Sequence, residues 1–212
     1  MSDTDDRTSP ALRAARSLER SDAFDAVIER WQPRLAAALE RRPELAARLH
    51  GRDLGHALHP LMTDLPLGLW MSATTLDLVG GTSARPHAER LLGLGILAAL
   101  PTSLTGLADW AVSGRRTQRV GVAHAALNSV ALGLYAGSWV LRRRGAHPAG
   151  VVASLLATGA VSASGYLGGH MSFRLGSPPR RHSGPPTTRT EPDADEVDLV
   201  PGGGSPSAAP DA

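Results

Sequence analysis

Four long apolar stretches joined by short polar connectors fill the middle of the chain, and polar, arginine-rich segments flank them. The first stretch, Leu61 to Gly80, contains only Asp64 and Asp77 as charges in about 20 residues, the length a helix needs to cross roughly 30 Å of hydrocarbon. Pro60 suits the first turn of such a helix, and Gly80-Gly81 ends it. Leu91 to Asp109, with Pro101 inside it, is the second, Val120 to Leu141 the third and Gly150 to His170 the fourth. A soluble bundle keeps a polar stripe on every helix; these runs are apolar nearly all round, so the pattern favours a bilayer. Small residues four apart, Gly133 with Gly137 and Gly165 with Gly169, predict close approach of helix backbones. Trp110 and Trp139 fall at helix ends, where interfacial aromatics sit.

The expected fold is all-α: an integral membrane, antiparallel four-helix bundle with short amphipathic N-terminal helices and disordered tails. Residues 1–20 read as a loose polar tail. Residues 21–52 form an amphipathic segment: after Ser21 as N-cap, Phe24, Val27, Ile28 and Trp31 recur at helical spacing until Pro33 interrupts them. Two further short pieces, Leu35 to Leu39 and Glu44 to Leu49, suit either a membrane surface or a cap on the bundle. The membrane domain spans residues 53–176. In residues 177–212 a third of the positions are Pro or Gly and large apolar side chains are scarce, so burial cannot offset chain entropy and a disordered, acidic tail is expected.

Charge and composition narrow the functional classes. The absence of cysteine excludes a disulfide framework, a thiolate metal site and an iron–sulfur cluster ligated by this chain. The formal charge of +2 comes from arginines scattered over loops, which gives no nucleic-acid footprint. Asp3, Asp5 and Asp6 stand where a cleavable signal would need basic and then apolar residues, so the internal spans are expected to direct insertion. Ten arginines near the spans lie on the side of the N-terminus, against Arg85, Arg90, Arg142, Arg143 and Arg144 on the other; both termini are expected in the cytoplasm.

Antiparallel crossing would return His59, Asp64, Asp109, His124 and His170 to one level of the membrane, on the N-terminal side. Asn128 and Tyr166, each four residues from a histidine, extend the polar stripes inward, and Trp110 adjoins Asp109. Ionisable groups in apolar spans are costly and by default mark a site in the bundle interior. Two chemistries fit: haem b between His59, His124 and His170 with Asn128, Tyr166 and Trp110 around it, or a non-haem transition metal on His59, Asp64, Asp109, His124 and His170. The bland reading keeps these side chains as hydrogen-bonding groups of a structural membrane domain. His50, His87, His147 and His182 are expected in solvent, and Asp77 is expected to pair with Arg85 or Arg90.

Gly55-His-Ala-Leu-His-Pro-Leu-Met-Thr-Asp-Leu-Pro-Leu-Gly-Leu-Trp70, Gly106-Leu-Ala-Asp-Trp110, His124-Ala-Ala-Leu-Asn128 and Gly165-Tyr-Leu-Gly-Gly-His170 together resemble a bacterial family of four-helix membrane proteins, a domain of unknown function. The resemblance covers roughly residues 45–176 and implies a multi-pass protein of the inner membrane. In some relatives a similar domain precedes a Rieske iron–sulfur domain, which makes electron transfer the implied class. The cysteine-free tail here cannot carry that cluster. The expected function is therefore a haem- or metal-binding electron-transfer component, or alternatively a non-catalytic structural or partner-binding domain. Whether it is an enzyme is left open. Its partners would be the lipid bilayer, a membrane or redox protein, or a second copy of the chain, and not nucleic acid.

Overall fold

The computed structural model describes residues 9–177, and within them every regular element is helical. The helices are α1 (Pro10–Arg20), α2 (Asp25–Glu40), α3 (Pro43–Leu49), α4 (Leu58–Val79), α5 (Arg85–Ala111), α6 (Arg115–Arg143) and α7 (His147–Arg174). The acidic tail and His182 lie outside the described residues.

Three helices are long and apolar enough to cross a membrane: Thr82–Ala111, which is α5 with the 3-10 turn before it, Arg115–Arg143 and His147–Arg174. Helix α4 has the length, at 22 residues, but is not among them. His59, Asp64, Asp77 and the prolines at 60 and 66 dilute its leucines. On α4 to α7 large apolar side chains face outward bare: Leu61, Leu97, Val130 and Leu156 are 60, 63, 56 and 61% exposed. Such a continuous apolar exterior is what water penalises and lipid accepts.

Helix α4 packs along α5. The Thr102 hydroxyl donates to the Met62 carbonyl at 3.1 Å, Trp70 lies against Gly95, and Gly80 meets Ala84. Helix α6 packs along α7 through His124 with Ser164, Tyr135 with Thr158, and Ser138 with Ser154. Trp70 stacks on Tyr135 at the centre, with ring centroids 4.1 Å apart. A Cβ on Gly95 would stand 2.3 Å from the Trp70 indole nitrogen, so only glycine lets α5 close on that ring. Gly133, Gly137 and Gly165 border open space instead; the helices approach closely at Gly95, Gly106, Gly121 and Gly150.

The prolines and the N-terminus depart from expectation. Pro33 does not interrupt α2, which runs on to Glu40 at the cost of one backbone hydrogen bond and crowding against the carbonyl four residues earlier. Helix α4 begins at Leu58, three residues before the expected run, so His59 and Pro60 both lie in its first turn. Residues 10–20 are not a loose tail. Ser9 caps α1 through the Leu12 amide, and Ala15 is fully buried against Val120 and Leu167.

Helices α1 to α3 form a cap on the turn between α5 and α6. Arg119 grips Asp25 with two hydrogen bonds of 2.8 and 2.6 Å and donates a third to the Glu19 carbonyl. Those bonds hold the Asp25 carboxyl below the usual carboxylate range. Gln32 donates to the Ala111 carbonyl at 2.8 Å, Arg115 pairs with Glu29, and Ile28 is buried.

At the other end of the long helices Asp77 meets Arg142, not Arg85 or Arg90, both of which are exposed. The pair is bidentate, with both distances 2.7 Å, and its side chains are 1 and 2% exposed. Arg142 also donates to Ser138 and Ser154. His147 is 3.6 Å from Asp77, so it joins this group and is not a solvated loop residue.

Candidate functional site

The expected five-residue cluster is divided into separate hydrogen-bonded groups. His59, near the start of α4, reaches α5: its Nδ1–H donates to the Thr102 carbonyl at 3.0 Å, with the Thr105 hydroxyl 3.2 Å away. A carbonyl only accepts, so the proton is on Nδ1 and the Nε2 lone pair is unclaimed. Gly106 makes room for this ring, since a Cβ there would lie 2.7 Å from His59 Cε1.

His124, on α6, is used at both ring nitrogens. Nδ1 is 2.9 Å from both the carbonyl and the hydroxyl of Ser164 on α7, and Nε2 accepts from the Asn128 amide at 3.0 Å. Asn128 thus stands beside His124 as its spacing predicts. His170, at the end of α7, is bound by the N-terminal cap: its Nε2 is 2.7 Å from Glu19 Oε1, and the side chains are 3 and 13% exposed.

Asp109 sits near the end of α5, and its partner is His50, the residue closing α3, at 2.8 Å from Nδ1 to Oδ1. His50 is therefore a buried member of the site and not a solvated loop histidine. Asp109 Oδ2 and His50 Nε2 are both buried without a hydrogen-bond partner. The sequence offers one hint of this: His50 directly precedes Gly51, whose positive φ of 73° turns the chain back toward α4, and a Cβ there would collide with the His56 carbonyl.

Asp64 and Tyr166 do not join. Asp64 is exposed on α4, and Tyr166 is 42% exposed. Spacing alone placed them correctly along their helices; their azimuth around the axis sends them outward. Trp110 is half-buried and donates from Nε1 to the Gln118 carbonyl at 2.9 Å, bracing the turn into α6 against Gly121.

Among the described residues no three His, Cys, Asp or Glu side chains gather around one point, as a metal site requires. A haem held between two of these histidines, as expected, needs their ring nitrogens to face one another across an open slot. Asn128 occupies His124 Nε2 and Glu19 occupies His170 Nε2, while α4 and α5 close on each other at Gly95 and Gly106. In this arrangement the residues fit neither group. What the cluster does instead is bond helix to helix: α4 to α5, α6 to α7, α1 to α7 and α3 to α5.

Compared with known families, residues 55–177 match the model described as predicted membrane protein (DUF2231). No curated protein and no solved structure matches the chain.

Proposed function

The chain belongs to the DUF2231 family of predicted membrane proteins, and from that premise we propose that it is a non-catalytic, multi-pass membrane domain whose buried polar groups fasten an N-terminal cap onto the bundle. The observation that carries this reading is the use of the histidines. His50, His59, His124 and His170 each bond to a residue of another helix, and two of them tie cap to bundle.

Four helices cross the bilayer in this reading, in antiparallel order. The paired contacts support it: Met62 with Thr102 and Trp70 with Gly95 count upward on α4 while counting downward on α5. The polar residues that set α4 apart are mostly turned inward, His59 onto α5 and Asp77 onto Arg142, which lowers their cost in lipid. Both termini face the cytoplasm of a bacterial inner membrane, because the arginines of the cap and of the α5–α6 turn outnumber those of the opposite side. The capped face is then the surface a membrane or redox partner, or a second copy, would meet.

One observation favours a second reading, a metal- or haem-linked electron carrier: the unpartnered Asp109 Oδ2 and His50 Nε2, with the unclaimed Nε2 of His59. It requires His124 or His170 to leave its present partner. An absorption spectrum and metal analysis of the detergent-purified full chain separate the two. The structural reading expects His124→Ala to lower the thermal stability with no spectral change. A reducible haem band or stoichiometric metal that disappears in His124→Ala would overturn it.

A further inference from the structure

Helix α2 has two faces and the bundle uses one. Asp25, Ile28, Glu29 and Gln32 hold the cap in place. Along the opposite face Val27, Arg30, Trp31, Arg34, Ala38 and Arg41 are all exposed, at positions that fall within one side of a helix. Val27 and Trp31 are 44 and 51% exposed, and the Arg30 and Arg34 guanidiniums sit 5.9 and 6.0 Å from the Trp31 ring. The face runs into a shallow cleft of about 270 Å³ between α2 and α3, with Ala38, Leu39 and Leu45 as its apolar wall and Arg41 and Arg42 as its charges.

The charges of this face are uncompensated. Asp25, Glu29 and Glu44 are already engaged by Arg119, Arg115 and Arg52. Glu40 alone remains on α2 and α3 against Arg30, Arg34, Arg41, Arg42 and Arg48. An aromatic and aliphatic surface interleaved with arginines matches the boundary between headgroups and acyl chains, where indoles settle and guanidiniums meet phosphate.

We infer that this face of α2, with the Arg41–Arg42 cleft, binds the phosphate headgroups of anionic phospholipid and lays the cap against the membrane surface. The inference rests on the membrane-domain reading above. An acidic peptide such as the run Glu191 to Asp198 of this chain would satisfy the arginines, but with Val197 as its one large aliphatic side chain it offers little apolar surface to Trp31, Val27 and Leu45.

The chain has no cysteine, so Val27→Cys provides a single labelling site on the face. The full-length labelled protein, carrying an environment-sensitive fluorophore, is placed in nanodiscs of phosphatidylcholine alone or with one third phosphatidylglycerol. In the anionic discs the label should shift to the blue and be quenched by lipid-attached quenchers. In neutral discs, and in Arg41→Ala/Arg42→Ala, it should stay in water; removing two surface arginines weakens such an association about 30-fold. A label in water in both compositions overturns the inference, as does equal protection in neutral discs, which would mean that a protein segment covers the face. Resistance of the protein to alkaline extraction is read separately: its failure refutes the membrane domain itself, whereas an integrated protein with a solvated label refutes only the headgroup site.

Discussion

Asp77→Asn keeps the shape of the buried carboxyl and removes its charge, leaving Arg142 a cation in an apolar bundle. Two charge-assisted hydrogen bonds of 2.7 Å weaken at once, each worth about 1.5–3 kcal/mol. Breaking a buried pair by removing one partner costs about 3–5 kcal/mol, because the survivor stays desolvated. The two estimates agree. For a chain of this size they correspond to a fall in Tm of about 6–20 °C. Arg142→Ala should lose a similar amount, since it strands Asp77 and also frees the hydroxyls of Ser138 and Ser154. Asp77→Leu/Arg142→Leu removes both charges and should lie well above the sum of the single losses. The assay is thermal unfolding of the full chain in detergent, run as a double-mutant cycle, with Asp64→Asn on the exposed face of α4 as a control that should move by no more than a degree or two. Single substitutions that shift Tm as little as that control, or a double variant showing the full sum of both losses, would refute the pairing.

Two further outcomes follow from the geometry. Because Arg119 lowers the Asp25 pKa, the charged form stabilises the docked cap; this contribution is present in full above the ordinary carboxylate range and is lost as the pH falls through the lowered value. Protection of the amides of residues 21–30, taken relative to the intrinsic exchange rate at each pH, should therefore be high at neutral pH and fall only in acid, whereas Asp25→Asn should be poorly protected at neutral pH; unchanged protection in that variant would remove Arg119–Asp25 from the account of docking. Gly106→Ala would drive a methyl into His59 and should cost about 1–3 kcal/mol, while Gly133→Ala meets open space and should be neutral or slightly stabilising; equal Tm values for the two would contradict the placement of His59.

Periodicity and hydropathy are enough to locate all four long helices; α5, α6 and α7 extend their runs by a few residues at both ends, while α4 starts earlier than its run and stops at Val79. They also marked Asn128 beside His124 and the stop at Gly80, because both depend on residues within one or two turns. What they could not supply is pairing between remote residues. Asp77 has Arg85 and Arg90 nearby in sequence, yet its partner comes from α6, 65 residues on. Asp109 and His170 were recognised, but as ligands, since nothing local discloses that His50 and Glu19 approach them. Helix α1 was hidden by its arginines; Ser9-Pro10 and the spacing of Leu12, Ala15 and Leu18 carry the signal, and it is weak without the surface of α6 and α7 to bury it.

The attachment of the cap also sets an order of assembly. Asp25 waits 94 residues for Arg119, and Glu19 waits 151 residues for His170. At about 5–20 residues per second of synthesis, the second interval is about 8–30 s. Helices α2 and α3 meet their anchors once Asp109 to Arg119 are made, whereas Glu19 of α1 lacks its partner until the last turns of α7 supply it. Helix α1 is thus made before every surface it docks on and completes its attachment at the end.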